Sequence, residues 1–454
     1  MRVNCNVSAL IANKNLSSSQ TSLNKALERL SSGLKINSAK DDAAGLAIAN
    51  RMHTQIKSLD QASKNSSDGI SVVQTAESAL SETESILQRM NELAVQAANA
   101  TNSLSDRQAI QQEIDQLAQE VDRISTSTEF NTMPLLDGTL GRRCYTDTDG
   151  VSTFYVSSAV KDGDYSLQIT SDATQASATV TLAAGAATAE GTIEINGASM
   201  EIKVGDTQAD IMSKFTTLCN TANLNYDSAT GTITTYEYGI SQSIDYTISP
   251  SLANMFSVSN VQSGTDATAT LGAGFNSSAT MTSDGRYITV KDLGGFEMTV
   301  EIEPDLLANS GQQSLDVTQK ITSIGTMTVQ LGANEGQVLE VDIPAVNIHT
   351  LGLDNLNVCT QAGAGDVISR VGEAINKVSG VRATLGAYQN RLDDVVSHLA
   401  EYKENITSAV SGIEDSDMAE EMTEYTQQSV ITQVATSVLG QANERPQSVL
   451  QLLQ

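Results

Sequence analysis

Three histidines and four cysteines are the side chains best suited to metal, nucleophilic or acid–base chemistry in this sequence, and their spacing decides what they can do. His53, His349 and His398 lie far apart, and Cys5, Cys144, Cys219 and Cys359 form no CxxC pair. A zinc centre draws its ligands at short fixed spacings, and a zinc protease carries HExxH; neither pattern occurs. Each of these residues therefore reads as a solvated or half-buried polar side chain, with no metal site and no structural disulfide expected. The other candidate for chemistry is the break "LSSGLKINSAKDDAAGLAIANRM" at residues 30–52, a charged stretch with Gly and Ser between helical segments. A phosphate loop needs a second Gly followed by Lys and Ser or Thr, and this stretch lacks them. It reads instead as a hinge. Gly33 stands where the helix of residues 16–31 should end in a left-handed cap. Ser38 with Asp41 forms an N-cap arrangement for a new helix, and Asp41 and Asp42 lie near its positive end.

The composition narrows the function further. A chain of 454 residues suggests about three domains. It has no Trp, only 4% aromatic residues, and a 40% hydrophobic content drawn mainly from Ala, Val, Leu and Ile. Large aromatic-lined pockets are not expected from it. Acidic residues number 54 against 26 Lys plus Arg, a net charge of −28, so nucleic acid and anionic membranes are excluded as main partners. No apolar run approaches the roughly 20 residues that span a bilayer. The opening "MRVNCNVSALIANKNLSSSQ" has no continuous apolar core or small-residue cleavage pattern, so any export is expected to use a route other than a Sec signal peptide.

The elements that must position these residues follow from proline and from apolar spacing. Proline occurs only at Pro134, Pro250, Pro304, Pro344 and Pro446, which leaves residues 1–133 and 345–445 free to form long helices. Apolar stripes run through Leu16, Leu23, Leu27, Leu30 and Leu34, through Ile86, Met90, Leu93 and Ala97, and through Ile110, Ile114, Leu117, Val121 and Ile124. The clearest runs Leu385, Tyr388, Leu392, Val395, Leu399, Tyr402, Ile406, Ala409 and Ile413. Alternating steps of three and four predict a coiled coil whose seam is Leu385, Leu392, Leu399 and Ile406, with an ordinary helical bundle as the alternative. The middle alternates instead, in "GTIEINGASMEIKVG", "RYITVKDLGGFEMTVEIE" and "MTVQLGANEGQVLEVDI", which predicts hairpins. Between them "DTQADIMSKFTTLCNTAN" has helical spacing through Ile211, Phe215 and Leu218, with Asp206 or Thr207 as its cap. The fold class is α+β.

At both ends the residues resemble a known family. "ALERLSSGLKINSAKDDAAGLAIANRM", "ASKNSSDGISVVQTAESAL", "LQRMNELAVQAANATN" and "EVDRISTSTEFN" are similar to bacterial flagellin, as are "LGAYQNRLDDVVSHL", "ENITSAVSGIEDSDMAEEM" and "ATSVLGQANERPQSVLQLL". The resemblance covers residues 1–140 and 326–454, in the family's order and spacing, and residues 141–325 fit its variable insert. Within that insert "GTIEINGASMEIKVGDTQADIMSKF" is similar to a small αβ module of some flagellin outer domains. The sequence departs from the usual pattern at Cys5, Asn91, Pro134, Gly412 and Gln454.

The resemblance implies a discontinuous antiparallel α-helical coiled-coil rod built from both chain ends, with a β-rich outer domain inserted. Residues 1–44 and 411–454 would be terminal inner-tube helices, 45–140 and 326–410 the helical rod core with a β-hairpin, and 141–325 the outer domain. The function implied is a structural subunit, not an enzyme and without a cofactor. It would polymerise into the extracellular flagellar filament for motility and leave the cell unfolded through the flagellar type III apparatus. A hook–filament junction protein is the alternative. Gly33 and Ser38 become the hinge, and Leu23, Leu27, Leu30, Val438, Leu450 and Leu453 the assembly residues. The implied partners are further copies of the chain, a flagellin export chaperone, the flagellar cap and hook-junction proteins, and a host's Toll-like receptor 5, which would meet Arg89, Leu93 and Glu113.

Overall fold

A computed structural model describes residues 6–157, 159–183 and 185–452. Cys5 and Leu453 lie outside the described residues, as does the side chain of Leu450. The helices are α1 (Val7–Ser32), α2 (Ala43–Ala97), α3 (Leu104–Ser127), α4 (Gln208–Thr221), α5 (Leu306–Ser310), α6 (Ile348–Leu351), α7 (Gln361–Glu414) and α8 (Met418–Leu452). Long terminal helices flank antiparallel sheets, so the class is α+β as the sequence implied. The chain divides into two compact units: Met1–Ser67 with Gln330–Val338 and Asp393–Gln454, and Asp68–Val329 with Leu339–Leu392.

In the first unit α1 packs along α8, and the start of α2 packs against the end of α7. The second contact buries Leu59 and Ala62 against Leu399, Ile406 and Val410, with Met52, Ile56, Val395 and the hairpin residue Ala333 around them. Lys403 pairs with Asp60 at 2.6 Å beside this cluster. Fully burying one such aliphatic side chain contributes about 1.5 to 3 kcal/mol, which makes this seam, rather than the ion pair, the main source of cohesion.

The helical part of the second unit buries Val73, Ala76, Leu80, Leu87, Met90, Leu93 and Ala97 on α2, and Ile110, Ile114, Val121 and Ile124 on α3. On α7 it buries Val367, Val371, Val378, Leu385 and Leu392. Ile86, expected in the stripe, is only half-buried, and Leu87 takes its place. Leu117 is half-buried as well. Arg382 of α7 ties α2 by donating to Glu77 at 2.7 Å and to Glu84. A capping box opens α3, where the Ser103 hydroxyl accepts from the Asp106 amide and the Asp106 carboxylate accepts from the Ser103 amide. The preceding helix closes on Arg107, whose Nε donates to the Ala97 carbonyl at 2.9 Å.

Two β lobes complete this unit. In the first, a four-stranded sheet ordered Phe256–Gln262, Gln175–Leu182, Thr232–Tyr238, Leu224–Asp227 shares a core with α4 and with a three-stranded sheet ordered Tyr246–Ile248, Gly191–Ile195, Ala198–Ile202. The turn between the last two strands places Asn196 at φ 47° and Gly197 at φ 80°, the left-handed pair a two-residue hairpin needs. Thr207 caps α4 through a capping box with Asp210. Asp206, the other expected cap, instead accepts from the Lys203 amide at 2.9 Å and the Lys214 ammonium at 2.6 Å. The second lobe has two four-stranded antiparallel sheets around Leu167, Ile169, Ile288, Val290, Met298, Val300 and Val317.

Candidate functional site

The paired helices α1 and α8 carry ten of the exposed large apolar side chains among the described residues. The pair is held at Asn6, whose amide donates to the Ala442 carbonyl at 2.8 Å, and at Arg29, 3.1 Å from Glu421. Its buried contacts are small, with Ala12, Ala26 and Ala442 inside. Val7, Leu10, Ile11 and Leu27 on α1 are left to solvent, and so are Met418, Met422, Val430, Ile431, Val434 and Val438 on α8. Val430, Val434 and Val438 step by four and share one helix face. Leu23 and Leu30 are half-buried, whereas Leu27 is 49% exposed because Ala26 takes the inner position. The sequence reading passed over Val7, Leu10 and Ile11, although their three- and four-residue spacing carried the signal.

At the foot of this pair the two chain breaks are stitched together. Gly33 adopts the left-handed cap (φ 75°), and its N–H donates to Arg29 O at 2.8 Å. Lys35 N donates to Glu414 O at 2.6 Å, and Ser416 N donates back to Gly33 O at 3.0 Å. His53 Nε2 lies 2.8 Å from the carboxylate of the buried Glu414. These long-range backbone bonds carry no side-chain signature and were not legible in the sequence.

The start of α2 differs from the expected cap. Ser38 and Asp41 do bond, with Ser38 Oγ donating to Asp41 at 2.9 Å, but they close a turn upstream of the helix. The Ser38 hydroxyl holds the Asp41 carboxyl below its ordinary value; desolvation opposes it, and the Lys25 ammonium adds to the lowering. The helix opens at Ala43, and Asp42 caps it by accepting from the Ala44 and Gly45 amides at 3.0 Å each. A Cβ on Gly45 would lie 2.6 Å from the Asp42 carboxylate oxygen and 2.7 Å from the Ile36 Cδ1, so a larger residue here would have to displace the capping carboxylate and the Ile36 side-chain end.

On the second unit Arg89 and Glu113 are exposed and joined at 2.8 Å, with Glu92 on the other side of the guanidinium at 3.2 Å. Leu93 is 2% exposed and packs inside, so only the charged pair of that trio is accessible. Of the seam residues, Leu385, Leu392, Leu399 and Ile406 are all buried. Tyr402 and Ala409 turn outward, and Val410 replaces Ala409 in the core.

The residues suited to chemistry remain apart. His349 sits edge-on to Phe154 and contacts Asp354 at 2.8 Å and Glu301 at 3.5 Å, while His398 is exposed. Among the described residues Cys144, Cys219 and Cys359 are free thiols. Burial pushes Cys219 up to about 12, which keeps it in the unreactive thiol form at neutral pH. No three His, Cys, Asp or Glu side chains among the described residues are grouped to hold a metal ion, and no helix there is long and apolar enough to cross a membrane.

Residues 3–140 match the bacterial flagellin N-terminal helical region, and residues 368–453 the bacterial flagellin C-terminal helical region. The chain is 35% identical over 455 residues to a flagellin of Clostridium tyrobutyricum, covering 98% of this chain and 100% of that protein. It is 34% identical over 498 residues to a flagellin of Salmonella rubislaw, covering 99% of each. Among solved structures it is similar to flagellar hook associated protein-3 from Legionella pneumophila at 13% identity and a TM-score of 0.34, over 80% of this chain and 98% of that one.

Proposed function

We propose, from the premise that this chain belongs to the bacterial flagellin family, that the α1–α8 pair is the surface through which it assembles. A flagellin is a structural, non-enzymatic subunit that polymerises with copies of itself into the extracellular flagellar filament and serves motility. The observation that carries the reading is the apolar row on α1 and α8, whose side chains the described residues leave roughly half exposed. Each of these side chains is about half covered already, so a second copy seated on six of them adds on the order of 5 to 10 kcal/mol before ordering costs. An interface between different surfaces of successive copies does not close on itself and grows into a helical polymer.

In this reading Leu23, Leu27, Leu30, Val438, Leu450 and Leu453 are assembly residues, and the segment Gly33 to Ser38 is the hinge between residues 1–44 with 411–454 and the rod of 45–140 with 326–410. Residues 141–325 form the outer domain. The subunit leaves the cell unfolded through the flagellar type III apparatus, with an export chaperone on its last roughly 40 residues, and meets the cap and hook-junction proteins at the filament ends. Toll-like receptor 5 of a host reads the accessible Arg89–Glu113 pair.

Electron microscopy of the purified protein tests the assembly surface. The native chain should form long filaments, and the double substitution Val430→Asp with Val434→Asp should form none while its circular dichroism is unchanged. Normal filaments from the double variant would overturn the reading. A hook–filament junction protein, the alternative, would form no long polymer even with the native sequence.

A further inference from the structure

In the first β lobe the strand Ala198–Ile202 is the free edge of its three-stranded sheet. Its pairing with Gly191–Ile195 across a two-residue turn matches Ile195 with Ala198, Ile193 with Met200 and Gly191 with Ile202. In a hairpin of this kind those pairs exchange the hydrogen bonds, so the N–H and C=O groups of Ser199 and Glu201 point away from the sheet. The third strand confirms the parity, because Ser249 N donates to Thr192 O, on the opposite side of Gly191–Ile195, at 3.0 Å. Of the four outward groups, the Glu201 carbonyl receives a long 3.4 Å contact from Lys214.

This edge runs beside α4, and the two form a groove of about 330 Å3. Ser199, Met200 and Glu201 line it from the strand, and Lys214, Thr217 and Leu218 from the helix; Leu104 of α3, 42% exposed, also lies on its wall. A strand edge flanked by a helix is the geometry in which an extended peptide adds to a sheet: backbone bonds hold it, and alternate side chains enter the groove. The charge selects the occupant. Lys214 is already neutralised by Asp206 at 2.6 Å. On the outward face of the sheet stand Glu194 and Glu201; Glu201 forms a long, largely exposed ion pair with Lys203 at 3.8 Å, which water screens, so both carboxylates remain available to a basic side chain. Residues 173–262, which make up the lobe, carry eight carboxylates and two lysines.

We propose that this edge is a docking site for an extended peptide segment of alternating basic and apolar residues, taken up as a fourth strand beside Ala198–Ile202. The basic side chains lie on the outward face by Glu194 and Glu201, and the apolar ones enter the groove by Met200, Leu218 and Leu104.

The test uses the full chain and a fluorescent, end-blocked hexapeptide of alternating lysine and valine, with binding read by anisotropy. The same peptide methylated on alternate backbone nitrogens keeps every charge and side chain but loses the donors that bond the edge; it should bind at least tenfold more weakly. Ser199→Pro removes an outward N–H at a position where an edge strand accepts proline. It should weaken the unmodified peptide at least tenfold with unchanged circular dichroism, and Ser199→Ala should leave binding intact. The glutamate–valine counterpart should not bind. Equal affinity for the methylated and unmethylated peptides would reduce the effect to general attraction between a basic peptide and an acidic protein, and would overturn the proposal. So would full binding by Ser199→Pro, or no saturable binding to the native chain.

Discussion

Arg89 donates to Glu113 at 2.8 and 3.2 Å and to Glu92 at 3.2 Å, so its guanidinium is held in one place by two carboxylates on adjacent helices. Those bonds, Glu113 first and Glu92 second, also raise it above its ordinary arginine value, and it stays charged at any pH a binding assay would use. The pairs are solvent-exposed, so the planar guanidinium is accessible, and its fork of donors suits an interface anchor. The proposed receptor site therefore predicts that Arg89→Ala weakens binding of the receptor ectodomain to monomer by roughly tenfold or more. Leu93→Ala should instead lower the thermal midpoint, since Leu93 is core. Unchanged affinity in both Arg89→Ala and Glu113→Ala would remove the site. The sequence already held both readings of Leu93. It stands four residues from Arg89, which suggests a shared face, and it also belongs to the stripe with Met90 and Ala97. Burial decides for the stripe, because helix faces grade into one another and a step of four places two residues near each other without giving both to solvent.

The helix seam shows what periodicity carries and where it drifts. Leu385, Leu392, Leu399 and Ile406 are buried at the seven-residue spacing read from the sequence, but the intervening members lose register toward the end of α7. A straight helix turns once in 3.6 residues, so a strict 3.5-residue stripe slips by about 20° per heptad, enough to move Tyr402 out and bring Val410 in. Leu392→Ala should cost about 2 to 5 kcal/mol, as cavities in well-packed cores do. Tyr402→Ala should change stability by only about 0.5 kcal/mol. Thermal unfolding followed by circular dichroism orders the two, and the reverse order would mean that the seam has been misassigned. Other elements were legible to different depths for the same kind of reason. The Asn196–Gly197 turn is a local signal and was read; that Gly191–Ile195 also pairs with Tyr246–Ile248 is a long-range choice no local pattern encodes. The cap of α2 falls on Asp42 rather than Ser38 because Ser38 and Asp41 bond to each other in the turn just upstream, which leaves the Asp42 carboxylate to accept the first free amides of the helix.

For the whole molecule, the proposed assembly and export roles place two partners on one surface. The first unit joins Met1–Ser67 to Asp393–Gln454, so it forms only once both ends of the chain are available. Even then Met418, Met422, Val430, Val434 and Val438 remain exposed along α8. A net charge of −28 repels other copies at long range, but screening confines that repulsion to about 8 Å at physiological salt and leaves the apolar row free to associate. A chain awaiting export therefore needs that row covered, which is the physical ground for placing the proposed chaperone on it. Affinity-tagged flagellar export chaperone should capture the full chain and should fail to capture one that ends before residue 413. Val430→Asp with Val434→Asp should weaken capture along with polymerisation, because both use the same side chains. Mass action adds a sharper expectation: chaperone that binds monomer through this row withdraws it from the filament, and should raise the concentration at which filaments appear in proportion to the amount bound. If the chaperone captured the truncated chain equally well, or left the onset of polymerisation unmoved, it would have to hold the subunit elsewhere. The exposed α8 row would then belong to assembly alone.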